Sequence, residues 1–171
     1  MFKGKVVITG MGVITPLGNS IAELWNSLIN GKNGISSITK FDAGDFPVRL
    51  AAEVRDFEPA DYIPIKRVDR TGRCAHFALA AASMAIKSAK LEMPNEKSER
   101  VGVVIGTNGM PNSLSEQQKV LEKRGPMRVD PLIISKYGAS MIPGHIGLEF
   151  GARGPNTSVN SYRSTNKTIW D

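Results

Sequence analysis

Few side chains in this sequence are equipped for covalent or acid–base chemistry: one cysteine, Cys74, and two histidines, His76 and His145. Cys74 and His76 fall in the Ala-rich segment 67–89, whose composition predicts a helix buried on most sides. On such a helix a thiol is expected to be a small, inert hydrophobe rather than a nucleophile. His76, beside Phe77 and without a partner in sequence, is expected to be a packed or surface histidine. With two histidines, one cysteine and no carboxylates clustered at ligand spacing, the residue inventory argues against zinc. Binding chemistry is better represented, because Lys66, Arg67, Arg70 and Arg73 lie within eight residues at the start of the same predicted helix.

Those four cations sit in a chain of net charge +6. Much of that charge simply keeps a surface solvated, but a local cluster also steers association with an acidic partner. Nucleic acid is a poor candidate, because aromatics make up only 6% of the chain and no Lys/Arg stripe or reading motif is present. Nucleotide binding is disfavoured as well. Gly10-Met11-Gly12 opens like a dinucleotide fingerprint, but Thr15-Pro16 stands where the third small residue belongs. No Asp or Glu lies between Glu23 and Asp42 to hold a ribose, so these glycines are expected to let a tight turn pass close to neighbouring backbone.

The elements that must position these groups alternate between strand and helix, which predicts a layered α/β fold with a largely buried sheet. Residues 6–9 form a short β-branched run suited to a central strand. Ile21, Leu24, Trp25 and Leu28 recur at helical spacing, with Asn19 or Ser20 as N-cap and Gly31 as the stop. Residues 42–64 carry three prolines and are expected to be irregular, with one strand at 49–54. A helix over 67–89, closed by Pro94, precedes a buried strand at 101–105 and a loop at 106–109. A charged amphipathic helix over 114–124 ends at Gly125-Pro126. Residues 135–150 are expected to be helical, with Pro143 as a kink or a break between two shorter helices, and 157–161 is the last strand.

A chain of 171 residues is long enough for one domain with its own core, here 1–171. No apolar run approaches the roughly 20 residues that span a bilayer. The brief Val6-Val7-Ile8 run after Lys3 and Lys5 does not make a secretory signal, and a single cysteine allows no internal disulfide, which fits the cytoplasm.

Read in order, Val6-Val7-Ile8-Thr9-Gly10-Met11-Gly12, Thr15-Pro16-Leu17-Gly18-Asn19, Leu24-Trp25, Gly31-Lys32-Asn33-Gly34-Ile35 and Phe41-Asp42-Ala43 form a recognisable series. It continues through Phe77-Ala78-Leu79-Ala80-Ala81-Ala82, Arg100-Val101-Gly102-Val103-Val104-Ile105-Gly106, Pro143-Gly144-His145 and Gly154-Pro155-Asn156. The series resembles the β-ketoacyl-acyl-carrier-protein synthases, the condensing enzymes of fatty-acid synthesis, and is closest to their type II, medium-to-long-chain branch. It covers essentially this whole chain but less than half of a full synthase. The resemblance implies the N-terminal half of a thiolase-like layered fold, a mixed sheet flanked by helices. It also implies a homodimer, acyl and malonyl thioesters as substrates, an acyl carrier protein as partner, and no metal or organic cofactor.

In that family a Cys at a strand-to-helix turn takes the acyl group, and two later histidines stabilise the enolate of the malonyl thioester. The family's turn runs Thr-Ala-Cys-Ser-Ser-Gly-Thr-Asn; here Ser161-Tyr162-Arg163-Ser164-Thr165-Asn166 places Arg163 where the nucleophile belongs. A guanidinium stays protonated and is a poor nucleophile, and at a helix N-terminus it opposes the dipole. The resemblance further implies that Lys66 and Arg70 dock the carrier, with Asp69 where another cation is common. It implies that the loop carrying Gly106, Thr107, Asn108 and Met110 shapes the acyl pocket, and places His145 in a structural helix. Met110, Met127 and Met141 are candidates for an acyl tunnel or for ordinary packing.

Three expectations follow. The chain is an N-terminal synthase fragment altered at its nucleophile by a reading-frame slip and inactive alone; or a catalytically silent partner paired with a full-length synthase; or a carrier-binding module. In each case half of a two-fold core leaves apolar surface exposed, so the isolated chain is expected to aggregate or dimerise.

Overall fold

The structure is a computed structural model and describes residues 5–107, 113–138 and 140–160. Two compact units divide the chain: residues 1–62 with 80–90, and residues 63–79 with 91–171.

In the first unit, residues 5–14 carry no regular secondary structure, and the predicted strand at 6–9 finds no strand partner among the described residues. Val6 is 90% exposed and Ile8 83% exposed. A β-branched run has the propensity for a strand, but a strand exists only where another backbone takes up its hydrogen bonds. The next residues are fixed by close approach to the C-terminal part of the Ala-rich helix. A Cβ on Gly12 would sit 2.0 Å from the Ala81 carbonyl oxygen, and one on Gly10 would sit 2.2 Å from that of Ala85. Only glycine fits there, as the sequence led us to expect.

A turn joined by paired Thr15 and Gly18 hydrogen bonds then leads into helix α1, Ile21–Ile29. Ser20 caps it by accepting from the Glu23 N–H, and the Glu23 carboxylate reaches back to the Asn19 N–H at 2.7 Å. The helix is where the periodicity puts it, but its apolar stripe is not buried: Trp25 is 65% exposed, and Leu28 and Ile29 are exposed too. The one buried residue of α1 is Ser27, which donates to the Leu17 carbonyl at 2.8 Å.

Strands β1, Ile35–Ser37, and β2, Leu50–Ala52, pair antiparallel, with Ile35 opposite Ala52. β2 lies inside the predicted 49–54 strand; β1 was missed, because three residues show too little alternation to register. The Glu53 carboxylate clasps the turn between them, accepting from the Thr39 hydroxyl at 2.7 Å and from the Thr39 and Lys40 N–H groups. The Thr39 hydroxyl, then these N–H groups, hold its carboxyl below the usual range.

The second unit opens with helix α2, Ile65–Val68, followed by α3, Arg73–Ser88, whose residues from Ala80 onward belong to the first unit. The sequence predicts one helix from 67 to 89. The break falls at 69–72, where the Arg67 carbonyl accepts from the Arg70 N–H at 3.0 Å and from the Thr71 hydroxyl at 2.8 Å, a tight turn that does not continue the helix. A Cβ on Gly72 would sit 2.5 Å from the Lys136 carbonyl oxygen, so the start of α3 lies hard against the 136–137 backbone. Ala75, His76, Leu79 and Ala80 form the buried ridge of α3 at helical spacing.

Strand β3, Val103–Thr107, pairs parallel with β4, Asn156–Asn160, with Val103 opposite Asn156 and Thr107 opposite Asn160. β3 is not the fully buried strand expected, because Val104 and Gly106 face solvent. Between the strands come α4, Ser113–Arg124, α5, Ile133–Tyr137, and α6, Met141–Phe150. Gly125, at φ +79°, ends α4 as predicted. The break in the 135–150 helix falls at Gly138 rather than Pro143, which sits in the first turn of α6 where its missing N–H costs nothing. The Asn156 amide donates to the Pro143 carbonyl at 2.9 Å, tying β4 to α6.

Candidate functional site

α2 is a single turn of helix with an unusual charge content for its length. Lys66 and Arg70 are exposed, and neither forms an ion pair among the described residues. Arg67 is half-buried and forms an ion pair with Glu149 on α6. The Arg73 guanidinium lies over the Phe77 ring, 4.8 Å from its centroid. Of the four clustered cations, two are therefore engaged within the unit, and the two that the resemblance singles out, Lys66 and Arg70, are presented to solvent. Asp69, exposed between them, lowers the local positive charge. Ile65, 73% exposed, adds an apolar contact beside Lys66.

Three interactions hold this turn in place. Ile63, just before it, is 2% exposed and anchors the incoming chain. Thr71 and His76 take up its C-terminal carbonyls, the Thr71 hydroxyl that of Arg67 and His76 Nε2 that of Val68 at 3.1 Å. His76 is thus a packed structural histidine. His145 is also buried, with Nε2 2.9 Å from the Ser135 carbonyl, linking α6 to α5. Sequence alone names both histidines but gives no partner for either, since Val68 and Ser135 lie eight and ten residues away.

Cys74 is exposed, contrary to expectation, because it lies off the buried ridge of Ala75, His76 and Leu79. Among the described residues no three His, Cys, Asp or Glu side chains gather into a metal-binding set. Gly106 and Thr107 belong to β3 rather than to a loop, paired with Val159 and Asn160, because the parallel register carries the ladder two residues past Ile105. Asn108 and Met110 lie outside the described residues, as does Arg163. Met127 is 93% exposed and Met141 half-buried among the described residues.

A feature absent from the sequence reading lies in the first unit. A recess of about 550 Å³ is lined by Thr15, Asn19, Glu23, Arg55, Asp56 and Tyr62, among others. The Asn19 amide donates to the Arg55 and Asp56 carbonyls at 2.9 and 3.2 Å, while its buried Oδ1 has no partner among the described residues. No helix among the described residues is long and apolar enough to cross a membrane.

Residues 3–170 match the family model described as "Beta-ketoacyl synthase, N-terminal domain". The chain is 41% identical over 155 residues to 3-oxoacyl-(acyl-carrier-protein) synthase 2 of Synechocystis sp., covering 90% of this chain and 37% of that protein. It is 38% identical over 161 residues to the enzyme of the same name from Coxiella burnetii, covering 93% of this chain and 39% of that one. The chain therefore spans less than two fifths of the length of these relatives. The ishigamide ketosynthase/chain length factor superposes with a TM-score of 0.79 at 29% identity, over 90% of this chain and 39% of the other. A ketosynthase solved in complex with its type II PKS acyl-carrier protein shares the fold, with a TM-score of 0.74 at 21% identity over 92% of this chain and 41% of the other. The fold is thus α/β and thiolase-like, and the chain belongs to the β-ketoacyl synthase family, whose N-terminal domain it matches.

Proposed function

We propose that the protein to which this domain belongs serves decarboxylative Claisen condensation. An acyl carrier protein delivers an acyl thioester, malonyl-carrier loses carbon dioxide, and the resulting carbanion attacks the acyl thioester carbon and expels its thiolate. No metal or organic cofactor enters this reaction, and the working form is a homodimer in the cytoplasm. In this chain the docking surface is retained and the nucleophile is not. Lys66 and Arg70 meet the acidic face of the carrier, whereas Arg163 stands at the nucleophile's place and forms no acyl thioester. Gly106, Thr107, Asn108 and Met110 contribute to the acyl pocket.

The observation that carries this reading is the pair of exposed cations, Lys66 on α2 and Arg70 just after it, which have no ion pair among the described residues, in a chain that matches the family model over residues 3–170. The test is to incubate the full chain with acyl-carrier and malonyl-carrier thioesters and follow intact mass and product together. We expect carrier to be retained by the chain without any acyl adduct or 3-oxoacyl product; an adduct, or product formed at a steady rate, overturns the reading.

A catalytically silent partner subunit is the second reading. It is favoured by one observation, the apolar stripe of α1 that Trp25, Leu28 and Ile29 leave uncovered. A mixture with a full-length synthase then changes the length of the acyl product, whereas a bare fragment leaves it unchanged.

A further inference from the structure

Arg67 sits at the centre of the basic turn yet is turned to an intramolecular use. Its guanidinium is ion-paired with Glu149, a residue 82 positions away on α6, and both side chains are half-buried. The pair is not the turn's sole anchor, since Ile63, Thr71 and His76 also hold it, at its entry and at its C-terminal end. Its effect on the surface is electrostatic. With Arg67 neutralised by Glu149, the exposed charges of the turn are Lys66, Asp69 and Arg70, a net of +1 from two cations and one anion. Released from Glu149, Arg67 would raise that net charge to +2 and bring a guanidinium, whose planar donors suit a carboxylate, to the middle of the surface.

We infer that Glu149 sets the strength of partner docking by withholding Arg67 from the basic surface, so that an acidic carrier protein meets Lys66 and Arg70 only. This rests on the reading that Lys66 and Arg70 form the carrier-docking surface. The pair is partly solvent-accessible and two residues of the turn are held independently of it, so loss of Glu149 is expected to cost little stability while changing the charge a partner meets. The expected change is a gain of binding on removal of an acid, and it is specific to one arginine.

The test is a binding titration of the full chain with holo acyl carrier protein at two salt concentrations, using Glu149→Gln, Arg67→Met, the double variant of these two, and Lys66→Ala with Arg70→Ala. Glu149→Gln is expected to bind about 2- to 5-fold more tightly, the range one partly solvent-accessible ion pair supports, and to lose more affinity on raising salt than the parent does. The gain is expected to vanish when Arg67→Met is added. Glu149→Met carries the same expectation should the amide variant fail to fold. If Glu149→Gln binds no better, or worse, while Lys66→Ala with Arg70→Ala still weakens binding, the inference about Glu149 is wrong and the docking reading stands. If the gain persists without Arg67, net charge alone accounts for it and the inference is likewise wrong. If Lys66→Ala with Arg70→Ala leaves binding unchanged, the docking reading fails and this inference fails with it.

Discussion

His76 Nε2 lies 3.1 Å from the Val68 carbonyl oxygen, so a buried imidazole on α3 closes the C-terminal end of α2. The carbonyl accepts, which fixes Nε2 as the protonated nitrogen of the ring. His76→Leu removes one of that carbonyl's donors, leaving it the Thr71 N–H at 3.3 Å, and is expected to destabilise the protein by about 0.5–1.5 kcal/mol. His76→Gln, which keeps a donor of similar reach, should recover most of the loss. Urea denaturation of the two variants measures this; equal midpoints would show that the bond contributes nothing.

The glycines separate into positions that tolerate a methyl group and positions that do not. At Gly12 a Cβ would lie 2.0 Å from the Ala81 carbonyl oxygen, and both backbones would have to part. Gly12→Ala is expected to cost about 1–3 kcal/mol, the range for overpacking. Gly144, within α6 and with nothing within 4 Å of its Cβ position, behaves in the opposite way. Gly144→Ala should stabilise by up to about 1 kcal/mol through helix propensity. Thermal midpoints that moved in the same direction for both would contradict this packing.

Asp130 gives the protein an acid-sensitive contact. Lys136 Nζ donates to its carboxylate at 2.8 Å and the Leu132 N–H donates at 2.9 Å; these two donors, the lysine first, hold the carboxyl below its ordinary value. A carboxyl whose folded pKa is depressed contributes stability that is present above its unfolded value, near 3.9, and is lost as pH falls through the lower folded value. Asp130→Asn should therefore be less stable than the parent at pH 7, by no more than about 1 kcal/mol for so accessible a pair. The difference should shrink toward zero in strong acid. A gap that widened on acidification would have the wrong sign for this account.

Trp25, Leu28 and Ile29 expose a continuous apolar stripe on α1, which we expect a second copy of the chain to cover. Sedimentation velocity over a range of concentrations should show self-association, and Trp25→Glu with Leu28→Glu should reduce it. A monomer at every concentration, with a sharp melting transition independent of concentration, would rule this out.

How much of this was legible in the sequence follows from how local each signal is. Ser20 and the 21-24-25-28 spacing gave α1, and Gly125-Pro126 gave the end of α4, because caps and periodicity act within a few residues. The parallel partner of β3 was also anticipated as a strand, though with a one-residue shift in its start. The run at 6–9 misled, since β propensity cannot report whether a neighbouring backbone is available. Burial was the least legible property: the stripe of α1 and the side chain of Cys74 both proved exposed, because what covers a helix is decided by distant chain. At the candidate site, Lys66, Arg67, Arg70 and Arg73 are visible in the sequence as a charge cluster, and the family resemblance picks Lys66 and Arg70 out of it. The Arg67–Glu149 pair is not visible there, because nothing in either local sequence announces a partner 82 residues away.

The most direct test of the account is a titration of isotope-labelled holo acyl carrier protein with the full chain, followed by NMR, for the parent and for Lys66→Ala with Arg70→Ala. The account predicts salt-sensitive shifts at acidic residues of the carrier with the parent chain, and a loss of affinity of at least about 10-fold in the double variant, as expected when two cations leave one interface. Shifts of equal size at equal concentrations for both proteins would show that α2 does not meet the carrier and would contradict the account.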